Sequence, residues 1–101
     1  MSDDLFADLG LHTSFCRTVA KLGFKQPSEI QAAAIPEILA GEDVLAIAQT
    51  GTGKTAAFLL PLMTHLGFSA AVRAGQPPKA LILAPTRELA IQISQNVQKL
   101  A

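Results

Sequence analysis

The chain has 101 residues, half of them hydrophobic and only 16% charged. That composition excludes global disorder and leaves room for one small domain with a modest core. The formal net charge is zero and the pI is about 6.7, so no overall basic field draws the chain to a polyanion.

Other broad classes fall away on local features. The single cysteine, Cys16, excludes an internal disulfide and suits a reducing, cytoplasmic setting, with its thiol acting as a small buried hydrophobe. No apolar run reaches the roughly 18 residues of a membrane span. The acidic start Met1-Ser-Asp-Asp4 lacks the positive charge and apolar core of a signal peptide.

Residues 5–11 carry apolar side chains with no clean period and are expected to form a loop turning near Gly10. Phe6 is the aromatic in this stretch, and packing against the next helix is its simplest role. That helix is expected from Thr13 or Ser14, either of which can cap it, with Phe15, Val19 and Leu22 on one face and Gly23 as its stop. Arg17 and Lys21 fall on its polar side.

Pro27 favours an extended residue before it, and Ser28-Glu-Ile-Gln31 has the spacing of a capping box. Gln31 therefore has a local role, reaching back to the Ser28 N–H. Its amide, a donor beside an acceptor, is also suited to reading an adenine edge. The helix continues through Ile30, Ala34, Ile35, Ile38 and Leu39. Pro36 should break it near Ile35, because proline removes one helix donor and its ring crowds the preceding turn.

Residues 44–48, Val-Leu-Ala-Ile-Ala, form an apolar run suited to a parallel strand covered on both faces. The run leads into Ala48-Gln-Thr-Gly-Thr-Gly-Lys-Thr55, a strand–glycine turn–helix pattern with the spacing of a phosphate-binding loop. Gly51 and Gly53 let backbone N–H groups curl around an anion, and the new helix adds its positive end. Lys54 can reach the β- and γ-phosphates, and Thr55 can offer its hydroxyl to a bridging Mg2+. The first position of the pattern is Ala48 where glycine is usual.

The next helix should run from Lys54 to about Leu66, burying Phe58, Leu59, Leu62, Met63 and Leu66, with Pro61 as a possible kink. His65 has no second ligand at metal spacing. Residues 67–79 are rich in Gly, Pro and small residues and read as a surface connection. Residues 80–84 are a second apolar strand, ended by Pro85. Thr86 can cap a last helix to about Leu100, with Leu89, Ile93, Val97 and Leu100 on one face. From Ala56 onward four cations face one carboxylate.

The order strand, helix, strand, helix implies an α/β fold with a right-handed crossover. Helices should flank at least two parallel strands, with the loops at residues 48–55 and 85–88 at one sheet edge.

Taken together, three segments resemble the N-terminal part of a DEAD-box ATP-dependent RNA helicase of bacterial type. Gly23, Phe24, Pro27, Ser28, Ile30 and Gln31 match the Q motif, with Phe6 at the position of the family's lone upstream aromatic, so the motif spans residues 4–32. Ala48, Gly51, Gly53, Lys54 and Thr55 match the family's phosphate loop, which carries Ala at its first position. Pro85, Thr86, Arg87, Glu88 and Leu89 match motif Ia, over residues 85–90.

The resemblance covers the whole chain. It implies the N-terminal part of a P-loop, RecA-like domain over residues 1–101, with ATP and Mg2+ as cofactors and an RNA substrate. It makes Gln31 an adenine reader and puts Phe6, Phe24 and Gln26 around the base. Ala48, Gln49, Thr50, Gly51, Thr52, Gly53, Lys54 and Thr55 become the phosphate cradle, with Lys54 and Thr55 serving catalysis and Thr55 the metal. Pro85, Thr86 and Arg87 become contacts to the RNA backbone, independent of base sequence.

The Asp-Glu-Ala-Asp motif, the Ser-Ala-Thr motif and the second lobe with its arginine finger have no counterpart in the 101 residues. The chain is accordingly expected to be an incomplete first lobe, inactive alone, whose open apolar strands favour self-association. A non-catalytic module that holds nucleotide or a partner is the alternative. A small P-loop kinase fits the loop but leaves the other two motifs unexplained.

Overall fold

The computed structural model describes residues 5–49, 53–67 and 77–100. A short 3-10 turn at Ala7–Leu9 precedes four helices: α1 (Thr13–Lys21), α2 (Glu29–Leu39), α3 (Lys54–His65) and α4 (Arg87–Leu100).

Side-chain and backbone caps set the helix ends. At α1 the cap is neither Thr13 nor Ser14 but His12, whose Nδ1 accepts from the Ser14 N–H at 3.1 Å. That nitrogen must be unprotonated to accept. α1 ends in a Schellman turn: Phe24 N–H donates to Val19 O and Gly23 N–H to Ala20 O, with Gly23 at φ 90°. The capping box of α2 forms as expected, Ser28 Oγ accepting from Gln31 N–H at 3.4 Å and Gln31 Oε1 from Ser28 N–H at 2.9 Å. Thr86 Oγ1 caps α4 by accepting from Leu89 N–H at 3.1 Å.

The core lies mainly between α2 and α3, whose Ile35, Leu59, Leu60 and Met63 are almost wholly buried. Each such side chain contributes about 1.5–3 kcal/mol relative to exposure. Phe6, Leu11, Cys16 and Val19 close one side, and Leu100 of α4 reaches in from another. The Cys16 thiol is buried as expected and donates to Leu11 O at 3.7 Å. Near their starts, α2 and α3 meet through Gln31 and Gly53. Near their ends they meet through Ile38 and His65. The two helices therefore run side by side in the same direction.

Several expectations are corrected. Pro36 does not break α2, which runs through it to Leu39. The burial of Ile35 in the core shared with Leu59, Leu60 and Met63 of α3 outweighs the loss of one helix hydrogen bond. Residues 5–11 are not wholly loop, since Ala7–Leu9 coil into a 3-10 turn closed by Gly10 at φ 98°. The α3 face includes Leu60, which was not anticipated, while Phe58, Leu62 and Leu66 are only half-buried. Leu22, expected on the buried face of α1, is 42% exposed.

The expected sheet is not seen. Among the described residues none is in a strand. Leu45, Ile47, Leu81 and Leu83 are each more than 80% exposed, where cover on both faces was expected. Apolar sequence supplies the propensity for a buried strand, but the ladder and the cover come from neighbours. The connection expected over residues 67–79 lies largely outside the described residues, at 68–76.

Candidate functional site

The starts of α2 and α3 converge on Gly53. Gly53 is the N-cap of α3 at φ 82°. Its carbonyl takes two donors, the Ala57 N–H at 3.1 Å and the Gln31 Nε2–H at 3.2 Å. A Cβ at residue 53 would collide with Gln31 Nε2 and lie 3.3 Å from Ser28 Oγ. Glycine is therefore required here twice, for its positive φ and for the space that Gln31 fills.

Gln31, only 4% exposed, thus ties two helix starts together. Its Oε1 holds the start of α2 through Ser28 N–H, and its Nε2 holds the start of α3 through Gly53. One Nε2 proton and one Oε1 lone pair remain after these bonds.

Beyond Gly53 the first turn of α3 presents Lys54, exposed, and Thr55, half-buried, with no acidic side chain to neutralise the helix's positive end. Ala48 is half-buried and Gln49 exposed on the approach to the loop. Thr50, Gly51 and Thr52 lie outside the described residues. The structure therefore brings Ser28, Gln31, Gly53, Lys54 and Thr55 into one neighbourhood.

Phe6 and Phe24 share a second feature, a cavity of about 430 Å³ also lined by Cys16, Val19, Ala20, Gly23 and Lys25. Phe6 is 2% exposed and belongs to the core, packing on α1 as its simplest role required. Phe24 is 42% exposed. Gln26 and Gln31 are not among the lining residues. Sequence reasoning missed Lys25 and the α1 wall. The spacing of Cys16, Val19, Ala20 and Gly23 along one helical face was the available signal.

Pro85, Thr86 and Arg87 are all exposed, at and before the start of α4. Thr86 is already engaged as a cap, which leaves its hydroxyl proton available. With no ladder among the described residues, the expected sheet edge shared with residues 48–55 is not seen. No group of three or more His, Cys, Asp or Glu among the described residues could hold a metal. No helix among them is long and apolar enough to cross a membrane.

Comparison with known proteins adds the wider context. Residues 28–101 match the family model described as DEAD/DEAH box helicase. The ATP-dependent RNA helicase SrmB of Escherichia coli is 50% identical over 101 residues, which is all of this chain and 22% of that protein. The crystal structure of the RNA helicase Prp28 from Chaetomium thermophilum bound to ADP superposes with a TM-score of 0.83. It is 44% identical over 92% of this chain and 22% of its own. Saccharomyces cerevisiae Dbp5 bound to RNA and ADP BeF3 gives a TM-score of 0.79 at 36% identity, over 96% of this chain and 24% of its own. The chain thus spans under a quarter of the length of each.

Proposed function

The chain belongs to the DEAD/DEAH box helicase family, and from that premise we propose that it forms the ATP-binding and RNA-backbone-contacting part of a RecA-like helicase domain. In this reading the domain couples ATP hydrolysis to remodelling of RNA duplexes. The observation that carries it is the Gln31–Gly53 hydrogen bond. It holds the amide that this reading assigns to the base close to the helix start that it assigns to the phosphates, which supports one nucleotide reaching both.

The residues then divide the work. The N–H groups at the start of α3, with Lys54, hold the phosphate tail through charge-assisted bonds. Gln31 turns its remaining donor and acceptor to the adenine edge, and a guanine, with that pattern reversed, is rejected. Phe24, exposed on the rim beside Phe6, offers a ring for stacking, with Gln26 nearby in sequence. Thr55 offers its hydroxyl in the first turn of α3. It suits an Mg2+ that arrives on the phosphates and takes most of its oxygens from them and from water, rather than one held in a protein cage.

At α4, the helix N-terminus with Pro85, Thr86 and Arg87 suits an RNA phosphate and reads no base. The cytoplasm is the compartment that fits the lone thiol. Turnover needs groups that neutralise charge on the transferring phosphate, and among the described residues at this site Lys54 and the helix end are the ones on offer. ATP binding without RNA-stimulated hydrolysis is therefore the expected behaviour of the chain alone.

Equilibrium titration with ATP and Mg2+ tests the reading. Binding to the wild-type chain, at least tenfold weaker in Lys54→Ala and weaker for GTP than for ATP, is the expected result. Equal affinity for ATP in wild type and Lys54→Ala would overturn it.

A further inference from the structure

Of the two histidines, His65 has no part in the proposed site, yet it makes a specific long-range contact. Its Nε2 lies 2.7 Å from Ile38 O, across 27 residues of sequence. A carbonyl can only accept, so Nε2 carries the proton and donates. Ile38 O also accepts the Gly41 N–H at 3.0 Å, within the turn that closes α2. Gly41 stands there at φ 86°, and the chain leaves it to run through residues 42–49 into the phosphate loop. His65 is thus bonded to the point from which that segment departs.

The middle of the helix pair gives this end contact its leverage. Each of the two parallel helices has proline as its eighth residue, Pro36 in α2 and Pro61 in α3. Neither proline has an N–H to give, so each helix lacks one hydrogen bond between the two contacts that join the pair. On one side of the prolines the pair is joined by Gln31 and Gly53, and on the other by His65 and Ile38. These two ties act with the buried packing of Ile35, Leu59, Leu60 and Met63 in holding the axial offset.

We infer that His65 is a positioning residue: by donating to Ile38 O it fixes the offset of α3 against α2, and so sets the Gln31–Gly53 contact at the other end. The inference rests on the ATP-site reading only for its effect on affinity. The geometric part stands on the chain alone.

The test uses the chain with His65→Phe, which keeps a ring but has no donor, and His65→Gln, which restores one. The first readout, without nucleotide, is the NMR signal of the Gln31 side-chain amide. It should shift in His65→Phe, with faster proton exchange, and return toward wild type in His65→Gln. The second is affinity for ATP with Mg2+, expected to fall about threefold in His65→Phe and recover in His65→Gln.

A Gln31 signal that is identical in wild type and His65→Phe overturns the inference, even if the variant melts at a lower temperature. A shifted signal in a chain that binds no ATP leaves the positioning role standing and removes the ATP reading instead. Should His65→Phe fail to fold, His65→Ala gives the same comparison. If only unfolding is seen in both while His65→Gln is native, the contact serves stability and the inference fails.

Discussion

Gln31 is where local and long-range roles meet. Its capping role was legible in Ser28-Glu-Ile-Gln31, because a cap depends on residues three apart. Its bond to Gly53, 22 residues on, was not, because spacing along the chain carries no information about which loop folds back. Substitution separates the two roles. Gln31→Ala leaves the half-buried Ser28 N–H without its partner and Gly53 O with the Ala57 N–H alone, and should cost about 1–3 kcal/mol of stability. Gln31→Glu keeps an acceptor for Ser28 N–H but sets a carboxylate oxygen against the Gly53 carbonyl. It should therefore weaken ATP binding at least as much as Gln31→Ala does. Thermal melts beside ATP titrations check both expectations.

His12 was missed for a related reason. Histidine is not among the usual capping residues, and Thr13 and Ser14 beside it carry the expected hydroxyls. Only the structure shows the imidazole Nδ1 accepting from Ser14 N–H.

At the scale of elements, the four helices were largely readable. α2, α3 and α4 start where Ser28, Gly53 and Thr86 indicated, and end near Leu39, Leu66 and Leu100. Propensity, period and caps are local quantities, and helices are made of local bonds. Pro36 shows the limit of that reasoning, since packing on α3 carried α2 past a residue that local rules treat as a stop. For α1, His12→Ala should destabilise the helix by about 1 kcal/mol, whereas His12→Asn, which can also accept from the Ser14 N–H, should be near neutral. Hydrogen exchange at the first amides of α1 distinguishes these outcomes.

The two apolar segments show the opposite case. Residues 44–48 and 80–84 have strand composition, yet a strand is defined by a partner, and among the described residues neither segment has one. The alternation is already in place. Leu45 stands far more exposed than Val44 before it, and Leu81 and Leu83 flank a less exposed Ile82. Period-two exposure of this kind is what a pleated segment presents before its second face is covered.

For the whole molecule, this leaves an exposed apolar surface beside a well-packed α2–α3 core. Isolated apolar side chains on a surface are ordinary, but two exposed runs of them favour association. The chain by itself should accordingly form concentration-dependent oligomers in sedimentation velocity. The combined change Leu45→Lys, Ile47→Thr, Leu81→Lys and Leu83→Thr should shift it toward monomer without loss of helical signal. A wild-type chain that stays monomeric across the concentration range would show that these residues find cover within one molecule.

The central claim is that one ATP molecule spans the contact between Gln31 and the start of α3. Titrating ATP with Mg2+ into the isotope-labelled chain, and following amide NMR signals, tests it most directly. The backbone amides of Gly53, Lys54 and Thr55 and the Gln31 side-chain amide should shift together along one binding curve, with Phe24 following. Shifts confined to other parts of the chain, with Gln31 and the residues from Gly53 to Thr55 unmoved, would contradict it.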